Sequence, residues 1–217
     1  GCVVADSRVF CWGDNSSGQL GDGTFVSSPV PVEVDFGAYG SVSIAQVSAG
    51  SGLTCAVDTG GQTYCWGLNN FGQMGVGTEV SSPLPIAVDQ SPFNGQPATF
   101  VVAGGTAACA IAGTLSCWGN NDAGALGVPP SKAEPIPVAV SPASPFENEA
   151  FIDVDVSQLV SCALAASSQI YCWGDRELLG SVRPYDSYVP TKVDQSGVLA
   201  GKSITSLSVG RSSCAVA

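Results

Sequence analysis

The stretch Cys11-Trp12-Gly13-Asp14-Asn15-Ser16-Ser17-Gly18-Gln19-Leu20-Gly21-Asp22-Gly23-Thr24 returns as Cys65-Trp66-Gly67-Leu68-Asn69-Asn70-Phe71-Gly72-Gln73-Met74-Gly75-Val76-Gly77-Thr78. It returns again around Cys117-Trp118-Gly119, where it decays to Gly124-Ala125-Leu126-Gly127. A fourth copy, Cys172-Trp173-Gly174, loses two residues and keeps Leu178-Leu179-Gly180. The chain has four tryptophans, all used this way, at spacings of 54, 52 and 55 residues. A proline-apolar run follows each copy: Pro29-Val30-Pro31-Val32, Pro83-Leu84-Pro85-Ile86, Pro135-Ile136-Pro137-Val138, and Val189-Pro190. Reuse of one block at a fixed period is the mark of a repeat architecture.

Between these blocks the residues favour strands. Val42-Ser43-Ile44, Thr99-Phe100-Val101-Val102, Phe151-Ile152-Asp153-Val154 and Ile204-Thr205-Ser206-Leu207 are rich in β-branched and aromatic residues. Cys55-Ala56-Val57 predicts a further strand, Asp58-Thr59-Gly60-Gly61 a turn, and Thr63-Tyr64-Cys65-Trp66 the strand after it. The proline-apolar run is at most an edge strand, because proline removes a ladder donor. No useful helical periodicity is present. Three or four short strands per period of about 53 residues predict an all-β chain of β-propeller blades. The repeat units run over about 1–54, 55–108, 109–161 and 162–213, within one segment spanning 1–217. Gly1-Cys2-Val3-Val4-Ala5 and Ser213-Cys214-Ala215-Val216-Ala217 share one phase. The chain is therefore expected to start and end within a blade, as a portion of a longer protein. The uncharged, apolar stretch from Ala98 to Leu115 is interrupted by Gly104, Gly105, Thr106, Gly113 and Thr114. A spanning helix needs about 20 mainly apolar residues, so two strands are expected there and no membrane insertion.

Composition agrees. Hydrophobic residues are 45% and charged residues 12% of 217, which excludes a disordered chain. Gly and Pro together number 41, which suits turn-rich β structure. Seven Lys and Arg stand against eighteen Asp and Glu, giving −11. That balance leaves no basic footprint for nucleic acid or an anionic membrane. The absence of histidine excludes Ser-His-Asp and Cys-His catalysis and imidazole metal sites. No cofactor, metal or enzymatic activity is expected.

Eight of the nine cysteines form pairs in sequence: Cys2 with Cys11, Cys55 with Cys65, Cys109 with Cys117, and Cys162 with Cys172. Each pair brackets a predicted hairpin turn, and opposed hairpin residues have Cα atoms about 4.5–5.5 Å apart, within disulfide reach. Zinc sites use closer spacing and gather four ligands, whereas these pairs are spread one per blade. Disulfides place the chain in an oxidising compartment: extracellular, cell-surface or periplasmic. Cys214 opens another Cys-Ala-Val strand and has no partner in this chain.

The pattern Cys-Trp-Gly-x-Asn-x-x-Gly-Gln-Leu-Gly-x-Gly-Thr resembles the regulator of chromosome condensation (RCC1) repeat. Trp12–Thr24 and Trp66–Thr78 match it closely, and the other two copies are decayed. The resemblance implies a β-propeller, usually seven-bladed with about one repeat per blade. Its signature positions are Trp12, Gly13, Trp66, Gly67, Trp118, Gly119, Trp173 and Gly174. The bracketing cysteines resemble the extracellular bacterial branch of that family. Family members often carry a histidine where this chain has Leu53, Ala107, Val160 and Ser212, which predicts a repacked apolar blade interior. The family mostly binds other molecules, in roles from nucleotide exchange on a small GTPase to inhibition of a β-lactamase through a loop face. The last mode fits an acidic, disulfide-bonded chain best.

Isolated motifs read as structure. Asp58-Thr59-Gly60 spells the aspartic-protease triplet, but it occurs once and lies on a turn. Asp14-Asn15-Ser16-Ser17-Gly18 with Asp22 resembles a calcium loop, yet Asp14 and Asp22 become Leu68 and Val76 in the best-matched repeat. Asn15-Ser16-Ser17 fits the glycosylation pattern, which is common by chance. Partner-binding candidates are the aromatics of variable segments: Phe36, Tyr39, Phe93, Phe146, Tyr185 and Tyr188. Residues 1–122 carry one base, Arg8, and nine acids, so a cationic partner is one reading of that half. The expected function is recognition of a protein partner whose identity the sequence leaves open. The alternative is a structural subunit or repeat segment of an extracellular fibre or surface assembly, self-associating through open blade edges.

Overall fold

The computed structural model describes residues 1–140, 149–175, 187–210 and 213–217. Its strands form antiparallel meanders that follow chain order. The first sheet holds β1 (Cys2–Ala5), β2 (Arg8–Gly13) and β3 (Ser28–Glu33). The second holds β4 (Ile44–Ala49), β5 (Leu53–Asp58), β6 (Thr63–Gly67) and β7 (Ser82–Ala87). The third holds β8 (Phe100–Ala103), β9 (Ala107–Ala112), β10 (Thr114–Asn121) and β11 (Ser131–Ala139). The fourth holds β12 (Phe151–Val156), β13 (Val160–Ala165), β14 (Ile170–Gly174) and β15 (Ser187–Lys192). A hairpin of β16 (Ser206–Val209) and β17 (Ser213–Val216) begins a fifth. The strands β4, β8, β12 and β16 lie beside one another in order and are the innermost strands of their blades, and β1 of the three-stranded first sheet matches β5.

The proline-apolar runs are the outer edge strands β3, β7, β11 and β15, as a missing donor requires. Residues 98–115 fold as β8, β9, the start of β10 and their turns, and no helix among the described residues is long and apolar enough to cross a membrane. Two inner strands differ from the sequence reading. Of Val42-Ser43-Ile44 only Ile44 joins a strand, and β16 begins at Ser206 instead of Ile204. The cause is an anchor before the ladder. The Ile44 N–H donates to the Ser7 carbonyl at 2.9 Å, and the Ile204 N–H donates to Ser168 Oγ at 3.2 Å. The apolar residue is thus spent on tying one blade to the hairpin of the blade before it.

The cysteine register is direct: Cys2 faces Cys11, Cys55 faces Cys65, Cys109 faces Cys117 and Cys162 faces Cys172. All four pairs are disulfide-bonded. One residue later, at each tryptophan, the ladder to the outer strand slips its register. The glycine that follows explains the invariance of Trp-Gly. Gly13, Gly67, Gly119 and Gly174 have φ of 114°, 104°, 104° and 114°. A Cβ on Gly67 would also sit 2.3 Å from the Gly52 carbonyl oxygen. Only glycine meets both demands.

The apolar core lies between blades. Val9, Leu20, Val34, Ala56 and Trp66 pack between the first and second. Leu53, Met74, Phe93 and Trp118 pack between the second and third, and Leu126, Val156, Tyr171 and Trp173 between the third and fourth. Burying each of Trp66, Trp118 and Trp173 stabilises the stack by roughly 2–3 kcal/mol. Leu53, Ala107 and Val160, at the positions where family members carry histidine, are buried, as an apolar interior requires; Ser212 lies outside the described residues.

Candidate protein-interaction face

A meander puts alternate connections on opposite faces. One face carries the long loops 14–27, 68–81 and 122–130 with the inner turns at 50–52, 104–106 and 157–159. The other carries the hairpin turns at 6–7, 59–62, 113 and 166–169 with the inter-blade connectors 34–43, 88–99 and 193–205.

The long-loop face is committed to holding blades together. The Gln19 carbonyl accepts Trp66 Nε1–H at 3.0 Å and the Thr54 hydroxyl at 2.8 Å. The Gln73 carbonyl accepts Trp118 Nε1–H at 2.9 Å. The Ala125 carbonyl accepts Trp173 Nε1–H at 2.8 Å and the Ser161 hydroxyl at 2.6 Å. The first two loops also clip the outer strand of the next blade: Gly23 N–H donates to Pro83 O at 3.0 Å, and Gly77 N–H to Pro135 O at 2.9 Å. Gly21, Gly75 and Gly127 have φ of 74°, 72° and 75°, and a Cβ on Gly75 would meet Trp118 Nε1 at 2.7 Å. The Gly-Gln-Leu-Gly motif is therefore the latch, and the tryptophan of the following repeat is its catch. Trp12 is 37% exposed, while the other three tryptophans are fully buried.

Sequence reading missed the residue that shapes the latch. Asn15, Asn69 and Asn121 are fully buried. Asn69 Nδ2 donates to the Thr78 and Val80 carbonyls at 2.8 and 3.0 Å, and its Oδ1 accepts Met74 N–H at 2.9 Å. Asn15 does the same with Thr24, Val26 and Leu20, and Asn121 with Pro129 and Leu126. Asparagine three residues after tryptophan, in three copies of four, was the available signal; the fourth copy has Arg176. A glycan on Asn15 is incompatible with this packing. Asp14 and Asp22 also serve the loop. Asp14 accepts from Ser16 Oγ and Gln19 Nε2, and these bonds hold its carboxyl below the usual range. Asp22 accepts from Thr24 and Asn15. Among the described residues no three His, Cys, Asp or Glu side chains converge on a metal-sized site.

The turn and connector face holds the variable residues. Asp58 Oδ1 accepts the N–H groups of Gly60 and Gln62 at 2.8 and 2.9 Å, so the protease-like triplet is a turn. Its Oδ2 accepts the Tyr64 hydroxyl at 3.3 Å. Phe36 and Tyr39 lean across to the second blade. The Phe36 ring meets Tyr64 at 5.4 Å and Trp66 at 5.8 Å, and Tyr39 meets Tyr64 at 4.9 Å, all edge-on. Tyr39 Oη accepts Ala87 N–H at 2.9 Å, and its ring stays 40% exposed. Burial, then the Asp58 charge, push the Tyr64 phenol up to about 12. Tyr171 is pushed up to about 12 by burial and by its bond to Glu149.

The six aromatic candidates thus separate. Phe36 and Tyr39 form a surface cluster. Phe93 is 2% exposed and belongs to the core between blades two and three. Its neighbourhood explains this: the position of Tyr64 in the second blade is Ser116 in the third, and the smaller side chain leaves room beneath the connector. Tyr188 starts the outer strand of blade four, and Gly124 packs on it as Gly18 packs on Pro83. Phe146 and Tyr185 lie outside the described residues. Charge on this face is mainly acidic. Arg8, the single base of residues 1–122, is paired with Glu33 and lies over the Phe10 ring at 5.5 Å. Asp153 and Asp155 of the inner strand accept the Leu207 and Val209 N–H groups at 2.9 and 2.7 Å, and burial raises the Asp153 carboxyl.

Comparison with known proteins gives a consistent picture. The regulator of chromosome condensation (RCC1) repeat matches residues 6–57 and 60–111. The human protein named probable E3 ubiquitin-protein ligase HERC6 is 31% identical over 80% of this chain and 17% of its own length. Human WBSCR16 superposes with a TM-score of 0.79 at 22% identity, over 95% of this chain and 52% of that one. Yeast RCC1 (Prp20), in its crystal structure with Kap60, gives 0.77 at 21% identity, over 97% and 50%. The chain thus spans about half of the solved proteins it resembles and a smaller part of the curated relative.

Proposed function

Because the chain is an RCC1-type β-propeller, we propose that it is a binding module of an oxidising compartment, secreted, surface-displayed or periplasmic, that recognises a protein through its turn and connector face. The carrying observation is the division of labour between faces. The repeated residues of the long-loop face are consumed by inter-blade bonds, whereas Tyr39 presents exposed aromatic surface on the other, backed by the partly buried Phe36. Aromatic side chains on rigid supports are the usual anchors of protein interfaces. Four disulfides support the compartment. Yeast RCC1 (Prp20), whose fold this chain shares, is a protein that Kap60 binds. The reading is non-enzymatic, and the ligase name belongs to a protein of which this chain spans 17%. Hydrogen-exchange footprinting of the complex with a native partner is the test. Protection confined to residues 35–43 and 58–64 supports the reading, and protection confined to the long loops sinks it.

A further inference from the structure

Three connectors of the turn face are built alike. Asp35-Phe36-Gly37, Asp89-Gln90-Ser91 and Asp194-Gln195-Ser196 each begin with an aspartate whose Oδ1 accepts the N–H two residues on, at 2.7, 2.9 and 2.9 Å. In each, the valine just before, Val34, Val88 or Val193, donates its N–H to the hairpin below, at the carbonyl of Val9, Thr63 or Ile170.

In blades two and four a pair of glutamines closes the space between connector and hairpin. Gln90 Nε2 donates to Gly61 O at 2.8 Å, and Gln62 Nε2 donates to Thr63 O at 2.8 Å and Val88 O at 3.5 Å. Gln195 Nε2 donates to Ser168 O at 2.9 Å, and its Oε1 accepts Gln169 Nε2–H at 2.7 Å and Ile170 N–H at 3.1 Å. In blade one the matching residues are Phe36 and Arg8, which bond to other partners while still lining the space. Phe36 stacks on Tyr64 and Trp66, and Arg8 pairs with Glu33. What they leave is a cavity of about 630 Å³, lined by Ser7, Val9, Asp35, Gly37, Ser41 and Ile44 among others. Its size is that of a ligand site.

We propose that this blade-one cavity is the anchoring pocket of the binding face, and that it takes a carboxamide side chain, glutamine or asparagine, of a protein partner. The inference rests on the protein-binding reading above. The occupant follows from the molecule itself: a carboxamide fills the same frame twice, bonding the same hairpin groups, and in blade one the frame is kept while the filler is missing. With Glu33 balanced by Arg8, Asp35 leaves the lining net negative, which disfavours an anionic side chain of the same shape.

The probe is N-acetyl-glutamine methylamide, titrated into the full disulfide-bonded chain and followed by backbone amide NMR shifts. Saturable shifts at Ser7–Val9 and Asp35–Ile44 are expected, with a dissociation constant on the order of millimolar for so small a ligand. N-acetyl-alanine methylamide and the glutamate analogue should bind about tenfold more weakly or worse. Phe36→Gln supplies an internal carboxamide and should weaken the probe about tenfold. Because that change also removes ring packing, Arg8→Gln, which leaves Phe36 in place, is the second variant and should weaken it several-fold. No saturable shift, equal binding of the alanine probe, or unchanged affinity in both variants would overturn the proposal. A native partner that footprints elsewhere on the turn face while the probe fails would remove the pocket and leave the module reading standing. A footprint on the long loops alone would remove both.

Discussion

The long loop at 68–81 and the connector at 88–99 belong to the same blade and have similar lengths, yet they obey different rules. The loop repeats its residues from blade to blade, and they serve either the loop's own shape, as Asn69 does, or the blade beside it, as the Gln73 carbonyl does. The connector keeps only its aspartate anchor and changes the rest: Phe36 becomes Gln90, and Tyr39 becomes Phe93. Where a side chain must latch a neighbour, substitution is costly and the sequence repeats. Where the connection only has to return to the next inner strand, side chains are free to differ, and distinct surface appears.

The sharpest break of that comparison is Asn69→Ala. It strands the Met74 N–H and two loop carbonyls in a fully buried site, so about 3–4 kcal/mol of stability should go, read by denaturant unfolding. Tyr39→Ala on the connector should cost under about 1 kcal/mol, because the ring is well exposed. Equal losses would erase the distinction between the faces.

Removing one disulfide as Cys109→Ser/Cys117→Ser should cost about 2 kcal/mol, since the bond closes a loop of only 8 residues. The latch bonds should survive, and far-ultraviolet dichroism should stay that of the parent. Collapse of all β signal would show that the latches cannot hold blades without the hairpin staples.

A finer comparison lies between two latches. Gln19 Nε2 donates to Asp14, but the matching residue of the next loop is Leu68, and Gln73 Nε2 is buried with no partner. Leu68→Asn should restore an acceptor and raise stability by about 1 kcal/mol. A loss would mean that Leu68 packing outweighs the stranded amide.

The smallest effect is confined to alkali. Tyr64 has its phenol raised to about 12 against an ordinary 10. The folded state therefore holds the proton more tightly, and its stabilising share is complete below pH 10 and lost as pH climbs towards 12. Tyr64→Phe should flatten the fall of stability in that window, and phenolate absorbance should lose its latest-titrating step. An unchanged alkaline limb would assign the effect to Tyr171, which is raised to about 12 as well.

What is local and periodic can be read from residue spacing. Four Cys-Trp-Gly blocks set the repeat, the alternating residues set the strands, the prolines set the outer edges, and cysteines 8 to 10 residues apart set the disulfides. Each of these contacts is made within one hairpin or by one strand's own chemistry, so spacing is enough to find it. What crosses from blade to blade emerges with the folded molecule. The bond from Trp66 to Gln19 spans 47 residues, and nothing in either residue names the other until the blades are stacked. The same holds for Phe93 and Tyr39, one buried and one exposed at matching positions, because Ser116 and Tyr64 of the facing strands leave different amounts of room. It holds again for the blade-one cavity, where Phe36 and Arg8 are engaged by Tyr64, Trp66 and Glu33. Packing across an interface depends on the volume and bonds of both sides at once, and a repeat period carries information about only one of them.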